Sequence, residues 1–287
     1  MNYEHAIIMC GGSGTRLWPL TTVMNKHFLP VYDKPMIYYA LANLLHIGIR
    51  KFTIVANKKD IPLFIALFKK FKVLGVSFSY LAQERAGGIP EGLSLFENLH
   101  GRRDTILALG DNLFFGNSII DDLSNLLKSP KSGVVLQHVA NPKAYGVAQV
   151  NSKNKRLERI IEKPSEFVGN QAVTGLYFYR KNVFSYLKSL SVSARGELEI
   201  TDLNNFLIQD NNLEYSMLGR GVSWFDAGDT SSMLDAAALV RGAQERTGLL
   251  VSSPEEILFR TCTKAMKQNF KNNYLPPKSM YETSVVK

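Results

Sequence analysis

Ala6-Ile7-Ile8-Met9-Cys10-Gly11-Gly12-Ser13-Gly14-Thr15-Arg16-Leu17 is the stretch whose reading decides the fold. An apolar run that ends in a glycine-rich turn reads as a buried parallel strand delivering a loop. Glycine lets the backbone approach a ligand closely and take positive φ without steric cost. Successive N–H groups in such a loop converge on phosphate oxygens. Arg16, and Lys26 within Asn25-Lys26-His27-Phe28-Leu29-Pro30, add positive charge where those oxygens lie. The third glycine of G-x-G-x-x-G is missing, and no G-x-x-x-x-G-K-[ST] occurs, which disfavours both the dinucleotide fold and the Walker loop.

Outward from this loop, residues 35–47 carry Met36, Ile37, Ala40, Leu41, Leu44 and Leu45 at helical spacing, with Pro35 near the first turn and Gly48 after the last. Phe52-Thr53-Ile54-Val55-Ala56 predicts a strand, residues 62–71 a helix, and Val76-Ser77-Phe78-Ser79-Tyr80 a strand. The β-α-β-α order predicts a parallel sheet covered on both faces, with right-handed crossovers and ligands at the carboxyl ends of the strands. Residues 83–92, rich in glycine, read as a loop after the third strand, with Gln83 offering both a donor and an acceptor.

Thr105-Ile106-Leu107-Ala108-Leu109 is a fully apolar strand followed at once by Gly110-Asp111-Asn112. A carboxylate there is placed to hold Mg²⁺ beside a triphosphate, or to cap the next turn. Asn117 and Ser118 read as caps of a helix whose Ile119, Leu123, Leu126 and Leu127 face inward. Residues 133–139 predict a strand, 145–150 and 157–161 a hairpin, and 172–179 another strand. A helix follows Arg195-Gly196-Glu197-Leu198-Glu199-Ile200-Thr201-Asp202. Val222-Ser223-Trp224-Phe225-Asp226-Ala227-Gly228 predicts a strand ending in Trp-x-Asp-x-Gly that carries a second carboxylate, with Trp224 either a core aromatic or a sugar platform. Asp229 or Thr230 caps the next helix, and Ser253-Pro254-Glu255-Glu256 opens another.

A chain of 287 residues with 45% hydrophobic and 21% charged residues is that of an ordinary globular enzyme. No apolar run approaches the roughly 18–20 residues needed to span a bilayer, and no basic region followed by an apolar stretch marks a secretory signal. Cys10 and Cys262 lack metal-type spacing, so the expected setting is reducing and cytoplasmic. The net charge of +9 gathers in lysines of residues 50–72 and of the last two dozen, without interleaved aromatics. That pattern reads as a solvated surface biased toward anionic substrates, not as a nucleic-acid module.

The Gly11–Leu17 loop together with Lys26-His27-Phe28-Leu29-Pro30 resembles the signature of sugar-1-phosphate nucleotidyltransferases. Tyr32-Asp33-Lys34-Pro35-Met36-Ile37-Tyr38-Tyr39 narrows the resemblance to the glucose-1-phosphate thymidylyltransferase group, and further matches run along almost the whole chain. The resemblance implies a Rossmann-like, mostly parallel twisted sheet flanked by helices, with an inserted sugar-binding hairpin region and a C-terminal helical tail. Residues 1–140 would form the nucleotide-binding half, 141–245 the sugar-binding half and 246–287 the tail. By the same resemblance Gly11, Gly12, Ser13, Gly14, Thr15, Arg16, Gln83, Gly88 and Asp111 bind the nucleotide, with Gln83 reading the pyrimidine. Asn112, Tyr145, Gly146, Glu162, Lys163, Val173, Glu197 and Thr201 bind the sugar phosphate, although Glu197 and Thr201 also suit a helix cap. Asp111 and Asp226 hold Mg²⁺, and Arg16, Lys26 and Lys163 join them as the catalytic set.

The expected reaction is transfer of a nucleotidyl group from dTTP to glucose 1-phosphate, giving dTDP-glucose for deoxysugar and polysaccharide synthesis. A homotetramer is implied, with no nucleic-acid or membrane partner. Two segments depart from the family: its Gly-Leu-Ala-Gln stands here as Gly88-Ile89-Pro90-Glu91, and its Phe-Tyr-Gly-His as Phe114-Phe115-Gly116-Asn117. The first leaves open another nucleotide or a modified hexose, and the second bears on product feedback, for which Gly219-Arg220 and Glu255-Glu256-Ile257 are retained. A non-catalytic nucleotide-sugar sensor is the rival from another class, opposed by the intact Arg16, Lys26, Asp111, Lys163 and Asp226.

Overall fold

A computed structural model describes residues 3–116 and 118–274. The chain runs β1 (His5–Cys10), the short pair β2 (Pro30–Val31) and β3 (Lys34–Pro35), α1 (Ile37–His46), β4 (Lys51–Asn57), α2 (Ile61–Phe68) and β5 (Ser77–Gln83). It continues with α3 (Ile89–His100), β6 (Thr105–Leu109), β7 (Asn112–Phe115), α4 (Ile119–Lys128), β8 (Ser132–His138), β9 (Gly146–Val150), β10 (Leu157–Glu162) and β11 (Gln171–Tyr179). The last elements are α5 (Val183–Tyr186), α6 (Ile200–Gln209), β12 (Leu213–Met217), β13 (Ser223–Asp226), α7 (Thr230–Thr247), α8 (Pro254–Phe259) and α9 (Lys264–Tyr274).

β1 is the central strand, buried at every position and paired in parallel with β4 on one side and β6 on the other. β5 extends the parallel block beyond β4. β11 then pairs antiparallel with β6, and carries β8 on its other edge and the β9–β10 hairpin at its start. β12 closes that side in parallel with β8. Helices cover both faces. Because successive side chains of a strand point to opposite faces, Ala6, Ile8 and Cys10 pack with Leu41, Phe64 and Phe68 of α1 and α2. Ile7 and Met9 pack with Leu93 and Phe96 of α3 and Leu203 and Leu207 of α6. Burying one such isoleucine contributes roughly 1.5–3 kcal/mol, so this one hexapeptide anchors both layers.

The expected α/β architecture therefore holds, with local corrections. Pro35 does not open a helix: it sits in β3 opposite Pro30, and α1 begins two residues later. The stretch read as a loop after the third strand is strand up to Gln83 and helix from Ile89. Pro90 fits in the first turn, where its missing N–H costs nothing, and Leu93 and Phe96 supply a buried face. The helix was hidden by the glycines around Pro90. Strands β7 and β12 were also not anticipated. Ser118 makes no cap bond to a helix N–H; its hydroxyl donates to Asp122 at 3.3 Å. The other expected cap, Asn117, and the segment after Tyr274 lie outside the described residues. Asp229, not Thr230, caps α7, accepting from the Ser232 N–H at 2.9 Å, and Ser253 caps α8 as expected.

At the N-terminal end of the sheet, far from the loop, His5 hydrogen-bonds Thr53 at 3.0 Å and packs on His100. Burial, with help from His100, lowers the His5 pKa to about 4, and burial lowers that of His27 to about 3. The unfolded chain takes up these protons near pH 6.5 and the folded chain does not. Stability is therefore full above pH 6.5 and lost as the pH falls toward the folded values, by about 1–2 kcal/mol per ring at pH 5. Urea midpoints should drop between pH 7 and pH 5, and less steeply in His5→Gln. A midpoint that stays level would show that the rings are not held neutral.

Candidate active site

The site is built at the carboxyl end of β1, where Cys10 leads into Gly11-Gly12-Ser13-Gly14. Gly12 and Gly14 both have positive φ. Gly14 caps a short turn containing Thr15, Arg16 and Leu17, and a Cβ on it would lie 2.8 Å from the Thr21 methyl group. Thr21 in turn donates to the Gly14 carbonyl at 2.9 Å. Gly11 and Gly12 of this loop line the cavity described below.

Asp111 follows β6 and is buried. The antiparallel pairing of β7 with β13 sets Asn112 opposite Asp226. The Ala227 N–H donates to the Asp111 carbonyl at 2.9 Å, so two carboxylates remote in sequence meet. Lys26 contacts Asp111 directly through Nζ and Oδ2. Arg16 lies 3.4 Å from Asp226 and 3.9 Å from Asp229, with its side chain more than half exposed. Burial works to raise the Asp111 carboxyl, but the charge of Lys26 with His27 and the Asn112 amide overcomes it and holds the group at about 2. Asp226 goes the other way: burial and then the Asp111 charge raise it, Arg16 and Lys26 opposing.

Asn112 has the geometry of a positioning group. Its Nδ2 donates to Asp111 Oδ1 at 3.0 Å. Its Oδ1 accepts from Trp224 Nε1 at 2.6 Å and from the Gly175 N–H at 3.2 Å. Both of those partners are donors only, so the amide orientation is dictated by chemistry. Trp224 is therefore neither plain core nor free platform: its indole holds Asn112 and its ring packs on Tyr145, centroids 4.9 Å apart.

A cavity of about 200 Å³ opens between the glycine loop, Gln83 at the end of β5, Gly88, Ile89, Leu109, Asp111 and Glu197. Gly88 must be glycine, because its φ is +90° and a Cβ would lie 2.0 Å from the Leu198 carbonyl. Gly87 accepts from the Leu198 N–H at 3.0 Å. This backbone contact brings the Arg195–Glu199 segment, with Glu197, to the cavity.

Beside it, Glu162 at the end of β10 accepts from Thr201 at 2.6 Å, with Arg195 at 3.5 Å and Lys163 at 3.8 Å. Thr201 therefore serves Glu162 and not a helix cap. Lys163 has φ +41°, an unusual conformation for a side chain that size, and its N–H donates to the Tyr145 carbonyl at 3.0 Å. A Cβ on Gly146 would lie 3.4 Å from both Glu162 Oε2 and Thr201 Oγ1, so the glycine leaves room at this cluster. Val173 pairs with Leu136 in the sheet.

Three groups escaped the sequence reading. His27 lines the cavity, fully buried, with Nδ1 2.6 Å from Asn25 Oδ1. Arg195 bridges Glu162 and Glu199. Glu91 contacts Gln83. All three lay inside quoted stretches, Glu91 within the departing Gly88-Ile89-Pro90-Glu91, and their residue types were the only available signal.

Among the described residues no cluster of three or more His, Cys, Asp or Glu side chains is arranged to hold a metal. The carboxylate pair Asp111 and Asp226 nonetheless suits a hard cation that keeps water and phosphate oxygens as its other ligands, as Mg²⁺ does. Their mutual repulsion, which raises Asp226, is what such a cation relieves. No described helix is long and apolar enough to cross a membrane.

A nucleotidyl transferase family model matches residues 5–242. The chain is 41% identical to the glucose-1-phosphate thymidylyltransferase of Mycobacterium tuberculosis over 254 residues, 88% of each chain. It is 40% identical to that of Neisseria meningitidis over 255 residues, again 88% of each. A crystal structure from Bacillus anthracis, assigned as a glucose-1-phosphate thymidylyltransferase and solved with sucrose, superposes with a TM-score of 0.75 at 39% identity, covering 83% of this chain and 95% of that one. A UDP-glucose pyrophosphorylase bound to UDP-glucose shares the fold at TM-score 0.75 and 22% identity, over 84% of this chain and 99% of that one. With a family model over residues 5–242 and relatives at about 40% identity over 88% of each chain, the chain belongs to the nucleotidyl transferase family, among the glucose-1-phosphate thymidylyltransferases.

Proposed function

We propose that the chain transfers a thymidylyl group from dTTP to glucose 1-phosphate, releasing pyrophosphate and forming dTDP-glucose, a precursor of dTDP-deoxysugars. The observation that carries this reading is the meeting of Arg16, Lys26, Asp111 and Asp226 beside the glycine loop, at a cavity walled by Gln83 and Gly88. The base enters the slot between Gly11 and Gly88, and the phosphates lie along the loop N–H groups. The sugar occupies the neighbouring cluster of Gly146, Glu162 and Thr201, where Glu162 can accept hydroxyl protons. Residues 1–140 then serve the nucleotide and 141–245 the sugar.

An oxygen of the sugar phosphate, anionic near neutral pH, attacks the α-phosphorus in line. The bond from that phosphorus to the oxygen bridging the α- and β-phosphates breaks as pyrophosphate leaves. No strong general base is needed, so positioning and charge neutralisation supply the catalysis. Arg16 has only loose ion pairs and an exposed side chain, so it is free to turn to the leaving pyrophosphate. Lys26 neutralises charge from the opposite wall. Lys163 and Arg195 receive the sugar phosphate, exchanging their contacts with Glu162. Mg²⁺ held by Asp111 and Asp226 would supply further positive charge to the reacting phosphates.

The test is pyrophosphate release from dTTP and glucose 1-phosphate. Release should vanish with chelator and return with Mg²⁺, while the circular dichroism spectrum stays unchanged. Turnover in chelator would remove the metal from the reading, and release with only a different hexose phosphate would reassign the sugar. The exposed Ile120, Leu234 and Leu249 side chains support a homo-oligomer, and light scattering decides whether it is a tetramer.

A further inference from the structure

Gln83 is a buried carboxamide at the end of β5, aimed into the cavity. Its Nε2 donates to two groups, the Glu91 carboxylate at 2.6 Å and the Gly88 carbonyl at 3.1 Å. A carboxylate and a backbone carbonyl are acceptors only. The two ends of a carboxamide are otherwise interchangeable, but here only one orientation satisfies both neighbours: NH₂ toward Glu91, carbonyl away. That carbonyl, Oε1, faces Gly11 on the loop side of the cavity, where a Cβ would sit 2.7 Å from it.

Glu91 is itself held in place. It stands in the first turn of α3, and its carboxylate rests against Gly87, where a Cβ would come within 2.2 Å of Oε2. Arg85 approaches its other oxygen at 3.9 Å. A glutamate can only accept and so reinforces the Gly88 carbonyl in fixing this orientation, and a glutamine at 91 can still accept from Gln83 through its own carbonyl.

We infer that Glu91 is a positioning residue that locks Gln83 with its acceptor toward the base, and so restricts the site to nucleotides whose base presents an N–H at that edge. The imide N3–H of thymine or uracil meets that requirement. The N3 of cytosine is itself an acceptor and would face Gln83 Oε1 lone pair to lone pair. This rests on the reading of the cavity as the base slot. A site built to receive a hydrogen bond rejects an analogue that lacks the donor far more strongly than one merely differing in size. Methyl discrimination between thymine and uracil is a separate and weaker matter of fit.

The experiment measures pyrophosphate release with dTTP, UTP and dCTP, each with Mg²⁺ and glucose 1-phosphate, in the wild type and in Glu91→Ala, Glu91→Gln and Glu91→Lys. The wild type should prefer dTTP and UTP over dCTP by about a hundredfold or more in kcat/KM. Glu91→Ala should narrow that ratio at least tenfold, through KM for the nucleotide and not kcat. Glu91→Gln, whose own carbonyl can accept from Gln83, should retain most of the selectivity. Glu91→Lys, one bond longer and able only to donate, opposes the Gln83 NH₂ and should shift the ratio further toward dCTP. A Glu91→Ala or Glu91→Lys enzyme in which dTTP and dCTP lose activity by the same factor overturns the proposal and leaves Glu91 a structural residue. Wild-type enzyme that releases no pyrophosphate with any nucleotide sinks the underlying reading of the cavity, a result visible without any variant.

Discussion

Asp226→Asn should reduce turnover by roughly 10²–10³ while leaving the melting temperature unchanged or slightly higher. The two halves of this expectation have one cause. Asp226 is largely buried and faces the Asp111 charge, and both effects raise its carboxyl pKa, so the ionised group is held in the folded chain against its own preference. Asparagine keeps the size and can still accept from the Gly228 N–H at 3.2 Å. It removes the charge that repels Asp111, and what it loses is only the loose, largely exposed Arg16 pair. The site loses one of the two anionic oxygen donors that suit a hard cation. Mg²⁺ titrations of the rate, beside a thermal melt, check both halves. An Asp226→Asn enzyme with wild-type Mg²⁺-dependent rates would remove Asp226 from the metal site, and a large fall in melting temperature would show that its charge is structural.

Lys26→Ala should be costly in both stability and rate. Lys26 and Asp111 form an ion pair in which each side chain is at most 15% exposed. Removing one partner of such a pair leaves an uncompensated buried charge and costs about 3–5 kcal/mol, in a protein whose whole stability is of the order of 5–15 kcal/mol. The Asn112 bond to Oδ1 remains but cannot replace a charge. The double variant Lys26→Ala with Asp111→Asn should recover most of the lost stability, since no charge is then left unpaired, yet remain inactive. Urea unfolding of the single and double variants without Mg²⁺ checks this. If the double variant is no more stable than Lys26→Ala, the loss came from packing of the lysine stem. If it turns over, Lys26 and Asp111 lie outside the chemistry.

Much of this site was legible in the chain. The glycine loop after an apolar hexapeptide and the aspartates at Asp111 and Asp226 sit where local pattern placed them, at or just beyond the ends of strands, whereas the Glu162-Lys163 pair entered only through the family resemblance. What escaped did so for identifiable reasons. Helix α3 was masked because Gly88, Pro90 and Gly92 are loop-formers in isolation, although here Pro90 occupies the first turn and Gly92 packs where a Cβ would strike Met9. β12 carries mainly half-buried residues and is stabilised by pairing with β8, not by its own pattern. Asn112, read as a sugar ligand, is 3% exposed and spends both ends of its amide on Asp111, Trp224 and Gly175. We propose it as the group that orients Asp111.

The sequence by itself determined the strongly apolar strands, the helices with clear apolar periodicity, the glycine loop and the residue types of the chemistry, because these depend on neighbours within about ten positions. Only the tertiary structure decided which charges meet. Lys26 reaches Asp111 across 85 positions and Arg16 reaches Asp226 across 210. Those encounters follow from β1 lying beside β6 and from β13 pairing with β7. The direction in which the Gln83 carboxamide points was likewise decided in three dimensions, because the Glu91 carboxylate on the next helix and the Gly88 carbonyl leave it one way to satisfy its hydrogen bonds.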